Sequence, residues 1–453
     1  MSKSKTEKTH SKGKDSEKYP GLVDLPKVRE HYQDYPYPGR NPEDEKKRLL
    51  QLGGEYIGEL NHWLYNGKED FQSNFRLLVA AGGTGDAIIY FAEQLKNTNA
   101  ELVYLDFSKA SIEIAKKRAE VRGLKNIKWV FDSILNIPKL KLGKFNYINC
   151  SGVLHHLSSP DGGIKILQES LTDNGALNAM VYGQYGRTGV YQVQELMRVV
   201  NSDIDDDRAL EVENAKIILQ SLPKTNWYSR GAELISDVQN YGDIGIYDLL
   251  LHKQDRAYTI PQLYEFIENA GLSFVQFSDI SERSALKVER YIKNSYLLEK
   301  IKKTSKRNQQ AIAELIFGSV IKHTFYSTNS KSNTVAELDD LDNTPYTFMS
   351  QNIPSNIINA ISANPAMINT TVNMTINHAF CNQVIGLPID NYTAHIFKYI
   401  DKELSLSEIF DNIRTDLKQE IPNETLIKSV KLSLDPLIDC GCILLKNKSV
   451  KFK

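Results

Sequence analysis

The sequence predicts an α/β fold, a mostly parallel sheet covered by helices on both faces. Short apolar runs alternate with amphipathic stretches from residue 75 to about residue 277, and the runs lie at 77–80, 102–105, 127–131, 147–150 and 176–181. After the second run, Ile112, Ala115 and Ala119 share one face of a helix. Strands that alternate with helices are joined by crossover connections, which produce a parallel sheet buried on both faces.

Domain organisation follows from where this alternation starts, breaks and stops. A mainly helical pattern at 190–258 predicts an insertion that covers the site or forms a subunit contact, which favours a homodimer. After residue 388, two amphipathic patterns precede a hairpin predicted at 442–452, an arrangement typical of a winged-helix-like module. The predicted parts are a disordered Lys-rich tail (1–30), a cap segment (31–74), the α/β domain (75–282), a middle region (283–387) and a smaller α+β end (388–453).

Composition and charge narrow the class of protein. No run of about 18 uncharged apolar residues is present, so no membrane span is expected, and the first residues lack the apolar stretch of an export signal. Four scattered cysteines favour a reducing cytoplasm, and Cys440-x-Cys442 lacks the paired spacing of a zinc site, so no metal is predicted. Six lysines against three acids give residues 1–18 a charge of +3, and the net charge of −1 leaves about −4 for the rest, which disfavours a nucleic-acid partner.

The most informative segment is a glycine-rich loop that joins an apolar strand to a helix. The strand at 77–80 runs into the loop Ala81-Gly-Gly-Thr-Gly. Glycines allow a tight turn there and let a ligand approach the backbone amides closely. A tight turn of any α/β domain is the plainer interpretation, so the loop alone does not identify a nucleotide site.

Two acids close the next two predicted strands. Asp106 follows Gly82 by 24 positions, where a carboxylate can accept hydrogen bonds from both hydroxyls of a ribose. Asp132 closes the following strand, where it can meet an adenine amino group. Each acid alone is equally well explained as a loop residue or a helix cap, but the ordered series favours an adenosine ligand. Neither G-x-G-x-x-G nor a Walker loop is present, which favours an adenosine with a small charged sulfonium tail over a dinucleotide.

These segments resemble the successive motifs of class I S-adenosylmethionine-dependent methyltransferases. The matching segments are 77–87, 104–108, 131–133, 151–157 and 170–182. The resemblance covers about residues 75–280 and implies a Rossmann-like, mostly parallel seven-stranded sheet with S-adenosyl-L-methionine as cofactor. Two departures are visible, because the family often has an acid where this chain has Val79 and a glycine where it has Ala81.

The position of each motif residue in this family implies a set of site residues. The predicted cofactor-binding residues are Ala81, Gly82, Gly83, Gly85, Asp106, Phe107, Asp132, Ser133 and Ser151, with Tyr35 and Tyr37 folding over the ligand from the N-terminal side. The candidate catalytic residues, at the ends of the fourth and fifth strands, are His155, His156 and Tyr182. The alternatives are that the histidines only begin a helix and that Tyr182 only packs. Cys150 lacks the Pro-Cys context of a nucleophile and is interpreted as a small buried residue.

The order of the domains is similar to that of rickettsial outer-membrane-protein lysine methyltransferases, which combine a Rossmann core, a dimerisation insertion, a middle domain and a winged-helix end. This resemblance implies a bacterial, cytoplasmic enzyme that methylates a lysine amine of a protein substrate. One alternative is a biosynthetic enzyme that methylates a small molecule, with 190–258 as a lid. A second is a protein that binds or modifies nucleic acid through the lysines of the winged end.

Overall fold

The computed structural model describes residues 19, 21–23, 33, 35–72, 74–204, 207–235, 237–252, 254–347, 368–377, 382–400 and 402–451. Most of the predicted Lys-rich tail (1–30) therefore lies outside the described residues. Among the residues that are described, no helix has the length and apolar character needed to cross a membrane.

Strands and helices are numbered in chain order. The strands are β1 (Arg76–Ala80), β2 (Glu101–Asp106), β3 (Ile127–Phe131), β4 (Phe145–Ser151), β5 (Leu171–Gly183), β6 (Ala257–Tyr258), β7 (Ser273–Phe277), β8 (Lys322–Thr328), β9 (Asn343–Thr347), β10 (Thr370–Asn377), β11 (Asn382–Ile389) and β12 (Ile443–Asn447). The α-helices are α1 (Ile57–Leu64), α2 (Asp86–Gln94), α3 (Lys109–Val121), α4 (Ile137–Leu140), α5 (Pro160–Glu169), α6 (Thr188–Val200), α7 (Arg208–Ser221), α8 (Trp227–Gly231), α9 (Asp237–Tyr241), α10 (Asp243–Leu250), α11 (Ile260–Asn269), α12 (Ile280–Ala285), α13 (Ser295–Lys302), α14 (Lys306–Phe317), α15 (Thr393–Tyr399), α16 (Leu406–Leu417) and α17 (Asn423–Asp439).

The central sheet has the strand order β3-β2-β1-β4-β5-β8-β7, and the two-residue strand β6 pairs with the end of β5 off this path. Strands β1 to β6 pair in parallel, whereas β8 runs antiparallel to both β5 and β7. The order in which the strands are added reverses at β1, because β2 lies on one side of β1 and β4 on the other. The predicted Rossmann-like, mostly parallel sheet is thus confirmed. A ligand crevice is expected at the carboxyl ends of the strands beside this point.

The position of β8 corrects the predicted end of the α/β domain at residue 282. This strand lies within the predicted middle region (283–387), but it inserts between β5 and β7. It is buried along most of its length, with Phe325 and Tyr326 inaccessible to solvent. The central sheet therefore extends to Thr328. The sequence does not reveal this position, because the partners of β8 lie far away along the chain.

The predicted insertion at 190–258 is mainly helical, with α6 to α10 packed around a small core of their own. Val190, Val193 and Met197 on α6 meet Val212 and Ala215 on α7 in this core. The first helix starts at Thr188, directly after β5, so the insertion stands at the carboxyl edge of the sheet. This position places it beside the expected crevice.

The C-terminal region shares its structure with the parts that precede it. Helices α16 and α17 lie where two helices were predicted, but β12 pairs antiparallel with β9 rather than with residues 449–452. The predicted terminal hairpin is therefore wrong for residues 449–451, which form no strand, and residue 452 lies outside the described part. The β9–β12 pairing also joins the predicted middle and terminal regions. One continuous apolar core links α1, β1 and α2 with α16, α17 and β12.

Candidate functional site

The glycine-rich loop between β1 and α2 has a backbone that only small residues tolerate well. Gly83 has a φ of +54°, and a Cβ there would stand 2.6 Å from the Tyr37 carbonyl oxygen. Ala81 also has a positive φ, +53°, which is uncommon for a residue with a Cβ. The departure of Ala81 from glycine is thus accommodated in a left-handed conformation. The Tyr104 ring also packs against the loop, because a Cβ at Gly82 would stand 2.5 Å from it and its hydroxyl donates to the Gly83 carbonyl oxygen.

Asp106, at the end of β2, ties the loop to the neighbouring strand. Its carboxylate accepts hydrogen bonds from the backbone N–H of Gly83 (2.8 Å) and of Ser108 (2.7 Å). Burial raises the pKa of Asp106 to about 6 although these amides oppose the shift. The side chain is therefore largely ionised at neutral pH and faces the cavity described below. An ionised carboxylate at this point suits the hydroxyls of a ribose.

Asp132 and Ser133 lie next to Asp106 in the adjoining turn. The Asp132 backbone N–H donates to the Asp106 carbonyl at 3.0 Å, and its Oδ1 accepts from the Ser133 N–H and from the Asn136 amide. Ser133 caps the turn by accepting from the Leu135 N–H. Both residues share the sheet edge with Asp106 but do not line the cavity. Their contact with an adenine stays a prediction.

The N-terminal segment lies across the loop and is anchored by a buried ion network. The Thr84 hydroxyl donates to the Pro38 carbonyl at 2.7 Å. Arg40 pairs with Asp86 at the start of α2 (2.6 Å), and Arg118 of α3 pairs with the same carboxylate (2.6 Å). Arg118 also pairs with Glu45 at 2.7 Å, and its side chain is 1% exposed. These charges fix the N-terminal segment, the loop and α3 to one another.

A cavity of about 490 Å³ opens between this loop, the N-terminal segment and the helical insertion. Its volume falls in the range of small-molecule and cofactor sites, roughly 300–1,000 Å³. The predicted site residues that line it are Tyr37, Ala81, Gly82, Gly83, Asp106, Phe107, Ser151, His156 and Tyr182. Those that do not are Tyr35, Gly85, Asp132, Ser133 and His155. Most of the predicted site is thus brought to one place.

The outlying residues have visible packing partners. The ring of Tyr35 stacks on Tyr247 of the insertion, with centroids 6.1 Å apart. Gly85 has a φ of +99° and begins α2, where a Cβ would come within 2.7 Å of the Ala115 Cβ. His155 is buried, and this burial lowers its pKa well below the usual value, so the ring is neutral. It packs on the Tyr182 ring at 3.8 Å between centroids.

Aromatic and charged groups form the end of the cavity next to β5 and the insertion. The Arg187 guanidinium lies over the Tyr182 ring at 3.5 Å, and it faces Asp255 at 3.8 Å. His156 stacks on His252 with centroids 3.9 Å apart, and its Nδ1 lies 3.1 Å from the Gln254 carbonyl oxygen. A carbonyl only accepts, so Nδ1 carries a proton. This end can therefore position a polar group.

Several residues that line the cavity were not predicted from the sequence as site residues. Glu55 lies before α1, and its Oε1 accepts a 2.6 Å hydrogen bond from the Asn149 amide. Asp248 and Leu249 reach the cavity from α10 of the insertion. None of these residues belongs to a motif, and each reaches the cavity only through tertiary packing. The only sign of a role in the site that the sequence offers is the charge of Glu55 in a segment of polar and apolar residues.

Part of this chain is similar to known proteins. A family model described as a methyltransferase domain matches residues 78–177. An uncharacterized protein of Synechococcus sp. is 33% identical over 205 residues, which are 45% of this chain and 48% of that protein. An uncharacterized protein of Rickettsia prowazekii is 32% identical over 148 residues, 32% of this chain and 24% of that protein. The chain thus spans half or less of the length of these two relatives.

A solved structure extends the likeness beyond the matched domain. PKMT2 from Rickettsia typhi, determined in complex with AdoHcy, has a TM-score of 0.59 at 17% identity. The match covers 88% of this chain and 77% of that one, so the two share their overall fold. The family model covers the loop after β1, the Asp106 edge and the strands up to β5. The chain therefore contains a class I S-adenosylmethionine-dependent methyltransferase domain.

Proposed function

We propose that this protein transfers a methyl group from S-adenosylmethionine to an amine, and that the amine is a lysine side chain of a protein substrate. The observation that carries the proposal is the cavity itself. One wall is the glycine loop with Asp106, and another is the aromatic and charged end with Tyr182 and Arg187. The first suits an adenosine, and the second suits an acceptor group brought close to it.

The residues present fit the cofactor. Asp106 offers an ionised carboxylate for the ribose, Phe107 lies beside it for the adenine, and the open backbone at Gly83 allows close approach. The cofactor supplies an activated methyl group on a sulfonium. Because this carbon is already activated, the work of the protein is to align the acceptor with it and to exclude water. The insertion, through Asp248 and Leu249, helps to enclose the cavity.

A lysine amine must be neutral before its nitrogen can attack. The buried Arg187 guanidinium stands at the acceptor end of the cavity. A positive charge close by disfavours a protonated amine, and so does the partly apolar lining, which includes Val153, Leu157 and Ile321. The same apolar groups suit the methylene chain of lysine. His156, which lines this end of the cavity, is the candidate to accept the released proton.

The protein nature of the substrate is supported by the extent of the structural likeness. The match to PKMT2 covers 88% of this chain, far more than the methyltransferase domain matched at residues 78–177. A small-molecule enzyme would seldom need such appended regions. Incubation with cofactor labelled in the methyl group and with a bacterial lysate should label protein, and hydrolysis of that protein should yield methylated lysine. Label in extractable metabolites alone would contradict a protein substrate. Label in nucleic acid would identify nucleic acid as the substrate instead.

Replacing Asp106 by alanine should weaken the binding of S-adenosylhomocysteine by about 1–3 kcal/mol, because charge-assisted hydrogen bonds to the ribose are lost. In the unaltered protein the affinity should fall as the pH is lowered from 7.5 to 5.5, since Asp106, with a pKa of about 6, then takes up a proton. Calorimetry measures both effects. An unchanged affinity in a folded variant would remove Asp106 from the site.

Replacing Tyr182 by phenylalanine should slow methyl transfer by up to about 100-fold, the scale of losing one positioning contact. The ring should keep its place under Arg187, because that contact uses the ring face. Binding of S-adenosylhomocysteine should therefore stay within twofold of the unaltered protein. Single-turnover transfer with the labelled substrate protein measures the rate. A variant that transfers at the normal rate would leave Tyr182 a packing role only.

A further inference from the structure

One buried carboxyl group at the cavity has no assigned task. Glu55 is 5% exposed, and its Oε1 accepts the amide hydrogen bond of Asn149 at 2.6 Å. Its other oxygen, Oε2, is buried and has no hydrogen-bond partner within the described part of the chain. A buried carboxylate without a partner is costly, so such groups pair with a cation or hold a proton. Burial accordingly raises the pKa of Glu55 to about 8.

The position of Glu55 is well defined. Asn149, which holds it, lies on β4 directly beside Val79 on β1. The backbone around Glu55 is tied to α2, because the Gln94 amide donates to the Glu55 carbonyl at 3.0 Å and its oxygen accepts from the Ile57 N–H at 2.9 Å. Glu55, Val79 and Asn149 all line the cavity. The carboxyl therefore lies at the wall of the cavity formed by β1 and β4.

The other acids of the cavity are engaged or lie elsewhere. Asp86 is neutralised by two arginines of the ion network, Arg40 and Arg118. Asp106 accepts from two backbone amides at the end of β2. Asp248 belongs to the helical insertion rather than to the wall formed by β1 and β4. A cation that enters beside β1 and β4 would meet Glu55.

We propose that Glu55 is the anionic partner of the α-ammonium group at the methionine end of bound S-adenosylmethionine. This inference rests on the proposed function. An ammonium group supplies the positive charge and the N–H donor that Oε2 lacks. The side chain of Val79 on β1 offers neither a charge nor a hydrogen-bond acceptor, although the family often has an acid at this position. Glu55 would supply the missing carboxylate for the charged tail of the cofactor.

The test compares ligands that differ only in the tail, using the unaltered protein and the variant Glu55→Gln. S-adenosylhomocysteine carries the ammonium and the carboxylate, decarboxylated S-adenosylhomocysteine keeps only the ammonium, and 5′-methylthioadenosine has neither. We expect Glu55→Gln to bind the first two about 10–100-fold more weakly, the scale of a hydrogen bond to a charged group. Its affinity for 5′-methylthioadenosine should stay within twofold.

A matched control comes from the same segment. Glu59 is also a buried carboxyl, 1% exposed, but it accepts from the Gly54 N–H at 3.1 Å and does not line the cavity. Glu59→Gln should therefore preserve the preference for the ammonium-bearing ligands. Circular dichroism and the midpoint of urea unfolding report whether each variant is folded.

The outcomes separate the inference from the function on which it rests. If the unaltered protein binds none of the three ligands, the proposed function fails, and the assignment of Glu55 fails with it. If the unaltered protein binds S-adenosylhomocysteine and Glu55→Gln binds it equally well, only the role of Glu55 is overturned. Equal weakening of all three ligands would also overturn it, because the loss would then be structural. Loss confined to the two ammonium-bearing ligands supports it.

Discussion

Replacing Arg118 by methionine should lower the free energy of unfolding by about 3–5 kcal/mol, the typical cost of removing one partner from a buried ion pair. Arg118 holds Glu45 at 2.7 Å and Asp86 at 2.6 Å, and it also donates to the Thr84 carbonyl at 2.9 Å. Methionine fills similar volume but supplies no charge. Glu45 and Asp86, which are largely shielded from water, then both lose the Arg118 charge.

The same change should weaken S-adenosylhomocysteine binding, because the glycine loop and the N-terminal segment lose their common anchor. Urea unfolding measures the stability, and calorimetry measures the affinity. The matched control is Lys116→Met on the same helix, since Lys116 makes only an exposed pair with Glu113. That control should unfold like the unaltered protein. A midpoint for Arg118→Met equal to that of the control would show that the buried network contributes nothing.

Replacing His323 by leucine should also lower the free energy of unfolding by about 3–5 kcal/mol. The imidazole is inaccessible to solvent on β8, with Nδ1 2.7 Å from a Glu282 oxygen and Nε2 2.9 Å from the Tyr258 carbonyl oxygen. Glu314 approaches Nε2 at 3.4 Å. Burial disfavours the charged ring, but the hydrogen bonds and charges of the two carboxylates outweigh it and raise the pKa of His323 to about 10 from the usual 6.5.

The stability from His323 should therefore depend on pH in a defined direction. A raised pKa in the folded state means that its contribution is complete below pH 6.5 and is lost as the pH rises towards 10. The His323 contribution to the free energy of unfolding should fall by about 1.4 kcal/mol per pH unit in this window, the value for one proton. The slope of His323→Leu should be smaller than that of the unaltered protein by this amount, because Glu55, with a pKa of about 8, contributes to the slope of both proteins.

Urea unfolding at several pH values between 6.5 and 10 checks the slope. His395→Leu serves as control, because His395 is partly exposed and faces Asp416 at 3.4 Å on the C-terminal region. It should keep both the slope and the stability of the unaltered protein. An equal slope in His323→Leu and in the unaltered protein would assign the pH dependence to other groups.

The parts of this fold that local sequence specifies were predictable. The strands β1 to β5, the glycine loop and Asp106 each carry a pattern contained within about ten residues, and their order gives the parallel sheet. The place of β8 and the pairing of β12 with β9 were not predictable, because both depend on partners far away along the chain. Packing, and not propensity, selects such partners.

The candidate site divides in the same way. Loop residues such as Gly83 and the strand-end carboxylate Asp106 lie where their motif predicts. Glu55 and Asp248 reach the cavity from segments without a motif, so only the packed chain shows them there. Asp132 lies at the predicted strand end but does not line the cavity. Its Oδ1 accepts hydrogen bonds within its own turn instead. Spacing along the chain gives proximity but not the direction of a side chain.

The apolar core that joins α1 to α17 and β12 connects the C-terminal region with the segment that precedes α1. His62 on α1 accepts a hydrogen bond from the Leu445 backbone N–H at 3.1 Å, and burial lowers the pKa of His62 to about 3, so this link survives ordinary acidity. The segment just before α1 carries Glu55. A molecule that binds α17 or β12 would therefore contact the same core that supports the segment carrying Glu55, and removal of β12 would uncover the buried face of α1.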